Sequence, residues 1–137
     1  MFRKFILAAA IVFGFSAVQA GIAVGAAHAG EASKVVKAGT FEGRSDHVTT
    51  GGISIVKTGS GYVAVLEGDF SLDGAPAPTL GFGNDTKFDE KSEFTKLESK
   101  EGLQAYAIPA NVDPNKFNEF YVWCADFSVP LGVASLK

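Results

Sequence analysis

One cysteine and one tryptophan stand next to each other, Trp123-Cys124, and Tyr121 lies two residues before them. A lone thiol can serve as a nucleophile, a metal ligand or a redox group, provided that something nearby generates thiolate. His47 is the candidate for that task, set among turn formers in Gly43-Arg44-Ser45-Asp46-His47-Val48. Two readings of each residue stand side by side. Cys124 is either a small buried hydrophobe, as free cysteines often are, or a partly accessible thiol. The second would suit a mixed disulfide, a metal bond or one-electron chemistry with Trp123 and Tyr121. His47 is either a loop histidine bonded to backbone or a ligand-facing group. Sheet alternation over residues 120–127 places Phe120, Val122 and Cys124 on one side, with Tyr121, Trp123, Ala125 and Phe127 on the other.

The rest of the ligand inventory narrows the chemistry. A blue-copper centre wants two histidines, a cysteine and usually a methionine, and the sole methionine is Met1. There is no Cys-x-x-Cys-His run for covalent haem and no set of four Cys/His ligands for structural zinc. A haem held by Cys124 or His47 as axial ligand stays open. Asn84-Asp85 with Asp89-Glu90 matches no calcium loop and reads as solvated acids. No Ser/His/Asp spacing supports a hydrolase.

Of the first 20 residues 15 are apolar, behind a short basic start, Met1-Phe2-Arg3-Lys4. This is the pattern of a secretory signal helix, with small-x-small cleavage sites ending at Ala20 and Ala29. Residues 1–29 are therefore assigned to the signal and a short tail, and the expected location is periplasmic or secreted. Membrane contact is expected only through the signal segment before cleavage. The whole chain of 137 residues has 12 basic and 15 acidic side chains. Removal of Arg3 and Lys4 takes the basic count to 10 against 15 acids, a net charge near −5. Such a domain has no basic excess with which to neutralise phosphates, so no nucleic-acid partner is expected. An internal disulfide is impossible with one cysteine, and stability must come from core burial.

What positions these side chains is a series of short β-prone runs. Residues 53–56 and 62–66 flank Lys57-Thr58-Gly59-Ser60-Gly61, a hairpin signal. Further strands are expected at 39–42, 69–72, 79–82, 104–108, 120–126 and 129–136. About eight strands with frequent turn signals predict an all-β, antiparallel β-sandwich over residues 38–137, preceded by a polar lead-in at 30–37. Asp113-Pro114 is suited to cap a single helical turn. Ala75-Pro76-Ala77-Pro78 reads as a stiff connection, and 83–100, dense in mixed charge, as a solvated loop or edge.

Trp123-Cys124-Ala125-Asp126-Phe127 and Gly102-Leu103-Gln104-Ala105-Tyr106-Ala107-Ile108-Pro109 together resemble the DM13 domain family. Gly39-Thr40-Phe41, Gly43, His47, Gly52, Leu66 and Phe70 agree in order, so the resemblance spans about residues 38–137. It implies an exported β-sandwich-like electron-transfer module with the cysteine of the Trp-Cys pair, here Cys124, as the redox residue. Where the family often carries Gly-Pro-Asp-Leu, this chain has Gly74-Ala75-Pro76-Ala77-Pro78, and an acid has become Ala77. The resulting expectation is a non-enzymatic redox accessory centred on Cys124, with His47, Trp123 and Tyr121 as binding residues and an unidentified redox or protein partner in the cell envelope. The alternative is an envelope binding module in which Cys124 is structural.

Overall fold

The computed structural model describes Ser33–Lys137. The expected signal helix, its tail and the start of the lead-in lie outside the described residues. Within them the protein is all-β and antiparallel, as alternation and turn chemistry require. Strand β1 (Lys34–Gly43) is followed by β2 (Thr49–Thr50), β3 (Gly52–Thr58), β4 (Gly61–Leu66), β5 (Ser71–Leu72) and β6 (Pro78–Asn84). Then come β7 (Lys87–Phe88), β8 (Thr95–Lys96), β9 (Gln104–Ile108), β10 (Glu119–Cys124) and β11 (Val129–Ser135). One sheet runs in the order β7-β6-β10-β11-β1-β3-β4-β9, with β8 beside β6, while β2 pairs with β5.

In place of two separate sheets, this single sheet curls on itself at β1. Lys34 to Thr40 of that strand pair with β3, and Phe41 to Gly43 pair with β11. Bulges help a sheet to turn. The register slips at Val36 in β1. It slips again in β11, where Val122 faces Gly132 but Trp123 faces Pro130. Leu131 is left over between those pairs and enters the core. Its carbonyl is not wasted: Thr49 Oγ1 donates to it at 2.8 Å and the Arg44 N–H at 3.0 Å.

Both halves of the sheet point at one core. Ile53 and Ile55 of β3, Ala64 and Leu66 of β4, and Leu80 and Phe82 of β6 alternate inward with Phe120 and Val122 of β10. Phe41, Phe82 and Phe120 meet edge to face at 5.0–6.1 Å between ring centres, a geometry that adds to simple burial.

Two expectations about extent need correction, and a third resolves between its alternatives. Lys34 to Lys37 of the polar lead-in are already strand, because β3 offers backbone partners from Lys57 onward. Of the two readings of the charged stretch 83–100, the edge is the one found: it carries β7 at the end of the sheet, a 3-10 turn (Glu90–Ser92) and β8 beside β6. Phe88 and Phe94 pin it to the sheet from either side, and Ser92 Oγ bonds both the N–H and the carbonyl of Phe82. Finally, β10 ends at Cys124, where the Ser128 N–H turns back to the Cys124 carbonyl at 2.8 Å. Ala125 and Phe127 therefore do not extend its outer face, and Phe127 is 68% exposed at the hairpin tip. The helical turn capped by Asp113 is present at Pro114–Lys116, with the Asn115 N–H donating to Asp113 Oδ1 at 2.9 Å.

Candidate functional site

Strand β10 carries the reactive side chains on opposite faces. Cys124, its last residue, faces the core and is 1% exposed. Its Sγ donates to the Pro76 carbonyl at 3.3 Å. The cover over the thiol is the connection at residues 74–78. Its path requires a left-handed backbone at Gly74 (φ 121°) and at Ala77 (φ 48°). Ala77 pays twice for this, since its Cβ disfavours positive φ and the following Pro78 disfavours anything but an extended conformation. The Ala125 N–H donates to the Ala77 carbonyl at 3.2 Å and Pro78 pairs with Cys124, so the strained connection is tied across the thiol.

His47 does not reach the thiol by hydrogen bonding. Its Nδ1 lies 2.9 Å from Asp73 Oδ1, while Asp73 Oδ2 accepts the Val48 N–H at 3.0 Å. The Asp73 carboxyl is held below the usual carboxylate range, first by that backbone N–H and then by His47. Asp73 and Pro76 are three positions apart, at most about 11 Å of extended chain. The histidine and the thiol thus anchor the two ends of one short segment without touching.

On the other face of β10, Tyr121 is 2% exposed and its hydroxyl donates to Glu119 Oε1 at 3.0 Å. Both oxygens of the buried Glu119 also accept the Thr86 N–H, at 2.9 and 3.1 Å. Burial, and then the Glu119 carboxylate, push the phenol's pKa well above its ordinary value, with Arg44 opposing weakly. Half-buried Trp123 stacks on Phe88 with ring centres 4.2 Å apart and planes 13° apart. Phe88 also meets Tyr121 at 5.3 Å, and Tyr121 lies 6.4 Å from Trp123. The rings have room because β6 presents glycine beneath them. A Cβ at Gly81 would stand 2.7 Å from the Phe88 ring, and one at Gly83 would stand 2.7 Å from the Tyr121 ring.

The structure therefore brings Tyr121 and Trp123 together and separates both from Cys124 by the thickness of the sheet. Sequence reasoning missed Asp73, the Pro76 carbonyl, Glu119 and Phe88. A signal was present for the last: Leu80-Gly81-Phe82-Gly83 alternates large and absent side chains, which marks a face that something bulky must cover. A haem does not fit Cys124 in this geometry, because the sulfur is enclosed and already bonded to a carbonyl. His47 has its Nδ1 engaged by Asp73, which leaves Nε2 as its ligand-capable nitrogen, but neither His47 nor Cys124 lines the clefts at residues 84–91, 89–117, 60–115 and 44–133. Among the described residues no three His, Cys, Asp or Glu side chains gather as a metal-ligand set.

The family model described as electron transfer DM13 matches residues 40–136. No curated protein and no solved structure matches the chain.

Proposed function

Because the chain belongs to the DM13 family, described as an electron-transfer family, we propose that it is an exported redox accessory of the cell envelope with Cys124 as the redox residue. The observation that carries this reading is the location of the thiol. It lies at a strand end beneath one strained connection, rather than in the middle of a paired strand. Residues 74–77 lie outside the strands, so displacing them leaves the sheet pairing intact. The apolar signature of residues 1–20 supports export.

The step open to a lone cysteine is exchange with a partner's disulfide. Cys124 Sγ loses its proton to solvent, the thiolate attacks one partner sulfur, and a mixed disulfide forms while the second sulfur departs as thiolate. The Cys124 sulfur is thereby oxidised to the disulfide level and the departing partner sulfur is reduced to thiolate, while release of Cys124 and full reduction of the partner require attack by a second thiol. Asp73, bonded to His47 and to the Val48 N–H, secures one end of the cover. Trp123, lying beside the buried Tyr121, presents a separate face to the partner.

Oxidised glutathione tests the proposal. The native protein should gain one glutathione on Cys124, seen as a single mass adduct absent from Cys124→Ser. The second reading, an envelope binding module with a structural cysteine, is favoured by the 1% exposure of Cys124 and its bond to Pro76. It is the reading to adopt if the adduct forms only after denaturation.

A further inference from the structure

The outer face of β10 has chemistry that the thiol does not use. We propose that Tyr121 is a proton-coupled one-electron donor, with Glu119 as its proton acceptor and Trp123 as its outlet to the surface. This goes beyond the reading of Cys124 and is independent of it, since the two sites lie on opposite faces of the sheet.

Three features carry the inference. The first is the proton path. A phenol that loses an electron becomes a strong acid and must release its proton at once, and the Tyr121 hydroxyl already donates to Glu119 Oε1 at 3.0 Å. Tyr106 and Tyr62 are built differently: the Tyr106 hydroxyl donates to the amide oxygen of Gln104, and the Tyr62 hydroxyl accepts from the Asn115 amide. Neither has a carboxylate as acceptor. The second is the outlet. Tyr121 is shut away from solvent, whereas Trp123, the only tryptophan in the chain, is half-buried and lies 6.4 Å from it between ring centres. The third is the fixed geometry. Phe88 stacks on Trp123 and abuts Tyr121, and the missing side chains at Gly81 and Gly83 make space for this arrangement. Arg44 lines the recess beside Glu119 and Tyr121, together with Thr86, Pro130 and Val133, and is the cation that faces the pair.

The step balances with a peroxyl radical as oxidant. The radical takes one electron from the Trp123 indole and, with a proton from water, leaves as a hydroperoxide. Tyr121 returns an electron to Trp123 and passes its hydroxyl proton to Glu119, leaving a neutral tyrosyl radical and a protonated carboxyl.

Flash oxidation of the protein by a photogenerated ruthenium polypyridyl oxidant, with freeze-quench electron paramagnetic resonance, tests the relay. The wild type should give a neutral tyrosyl signal. Tyr121→Phe should abolish it and leave a longer-lived tryptophan radical, while Trp123→Phe should lower the yield severalfold. Glu119→Gln should slow tyrosyl formation about tenfold. Should that variant fail to fold, transfer to deuterated water slows the step in the wild type by a measurable isotope effect. A tyrosyl signal that survives Tyr121→Phe, or a rate indifferent to deuterium, would overturn the proposal. The same flash on Cys124→Ser separates the two sites. Tyrosyl formation there belongs to the relay whatever becomes of the thiol reading, and its loss there would contradict the relay's independence.

Discussion

The inner and outer faces of β10 are made from consecutive residues yet solve opposite problems. Inward, Phe120, Val122 and Cys124 join a dry core in which the thiol's only polar partner is a carbonyl from residues 74–78. Outward, Glu119, Tyr121 and Trp123 would be too polar and too large for that core. They are covered instead by a separate short strand, β7, whose Phe88 lies flat on the indole. The inner face is held by volume, and the outer face by hydrogen bonds and by empty space at glycine. Burial alone therefore does not identify the reactive side. Cys124 and Tyr121 are almost equally buried, but only Tyr121 has a group waiting for its proton.

The comparison can be broken most forcefully from inside. Phe120→Ala removes the ring that meets Phe41 and Phe82, and should cost about 3–5 kcal/mol in denaturant unfolding. The resulting protein should be marginal or unfolded. Gly83→Ala strikes the outer face next. Its Cβ would stand 2.2 Å from the Lys87 carbonyl, a backbone atom, and 2.7 Å from the Tyr121 ring. A loss of about 1–3 kcal/mol is expected, together with a change in Trp123 fluorescence as β7 is displaced. A similar loss without a fluorescence change would mean that Phe88 is not held by this glycine.

Raised pH should distinguish the faces without mutation. The Tyr121 pKa is raised by burial and by Glu119, and that of Tyr106 by burial, so the folded state holds these protons more tightly than the unfolded chain. Their contribution to stability is complete below the ordinary phenol value of 10.0 and is lost as pH rises above it. Unfolding midpoints measured from pH 8 upward should therefore fall beyond pH 10, and Tyr121→Phe should flatten that fall. The smallest effect is expected at the cover. Ala77→Gly removes a Cβ from a left-handed position before proline and should change stability by about 1 kcal/mol or less, because relief of strain is offset by a more flexible unfolded chain. Thiol labelling is the more sensitive readout of this variant.

Much of the frame was legible because it is local. The Gly-containing connection between β3 and β4, the run Gln104–Ile108 and the cap at Asp113-Pro114 each declare themselves within a few residues. The division of Phe120, Val122 and Cys124 from Tyr121 and Trp123 followed from alternation, and Phe127 escaped it only because the chain turns after Cys124. The site was less legible because its partners come from far along the chain. Asp73 meets His47 across 26 residues, and the Pro76 carbonyl meets Cys124 across 48. Such pairings depend on how β1 and β11 curl the sheet; Pro130 and Gly132 flag the bulge at Leu131 that helps them to do so, but no local residue says which distant groups it brings together.

The central claim is that Cys124 becomes reactive by lifting of residues 74–77 rather than by unfolding. The direct measurement is the rate at which a small disulfide reagent labels the native protein across a series of sub-denaturing urea concentrations. Local opening exposes little surface, so the rate should be nearly independent of urea, and Ala77→Gly should change it severalfold. A rate that climbs with urea along the full slope of global unfolding would contradict the account and make Cys124 a packing residue.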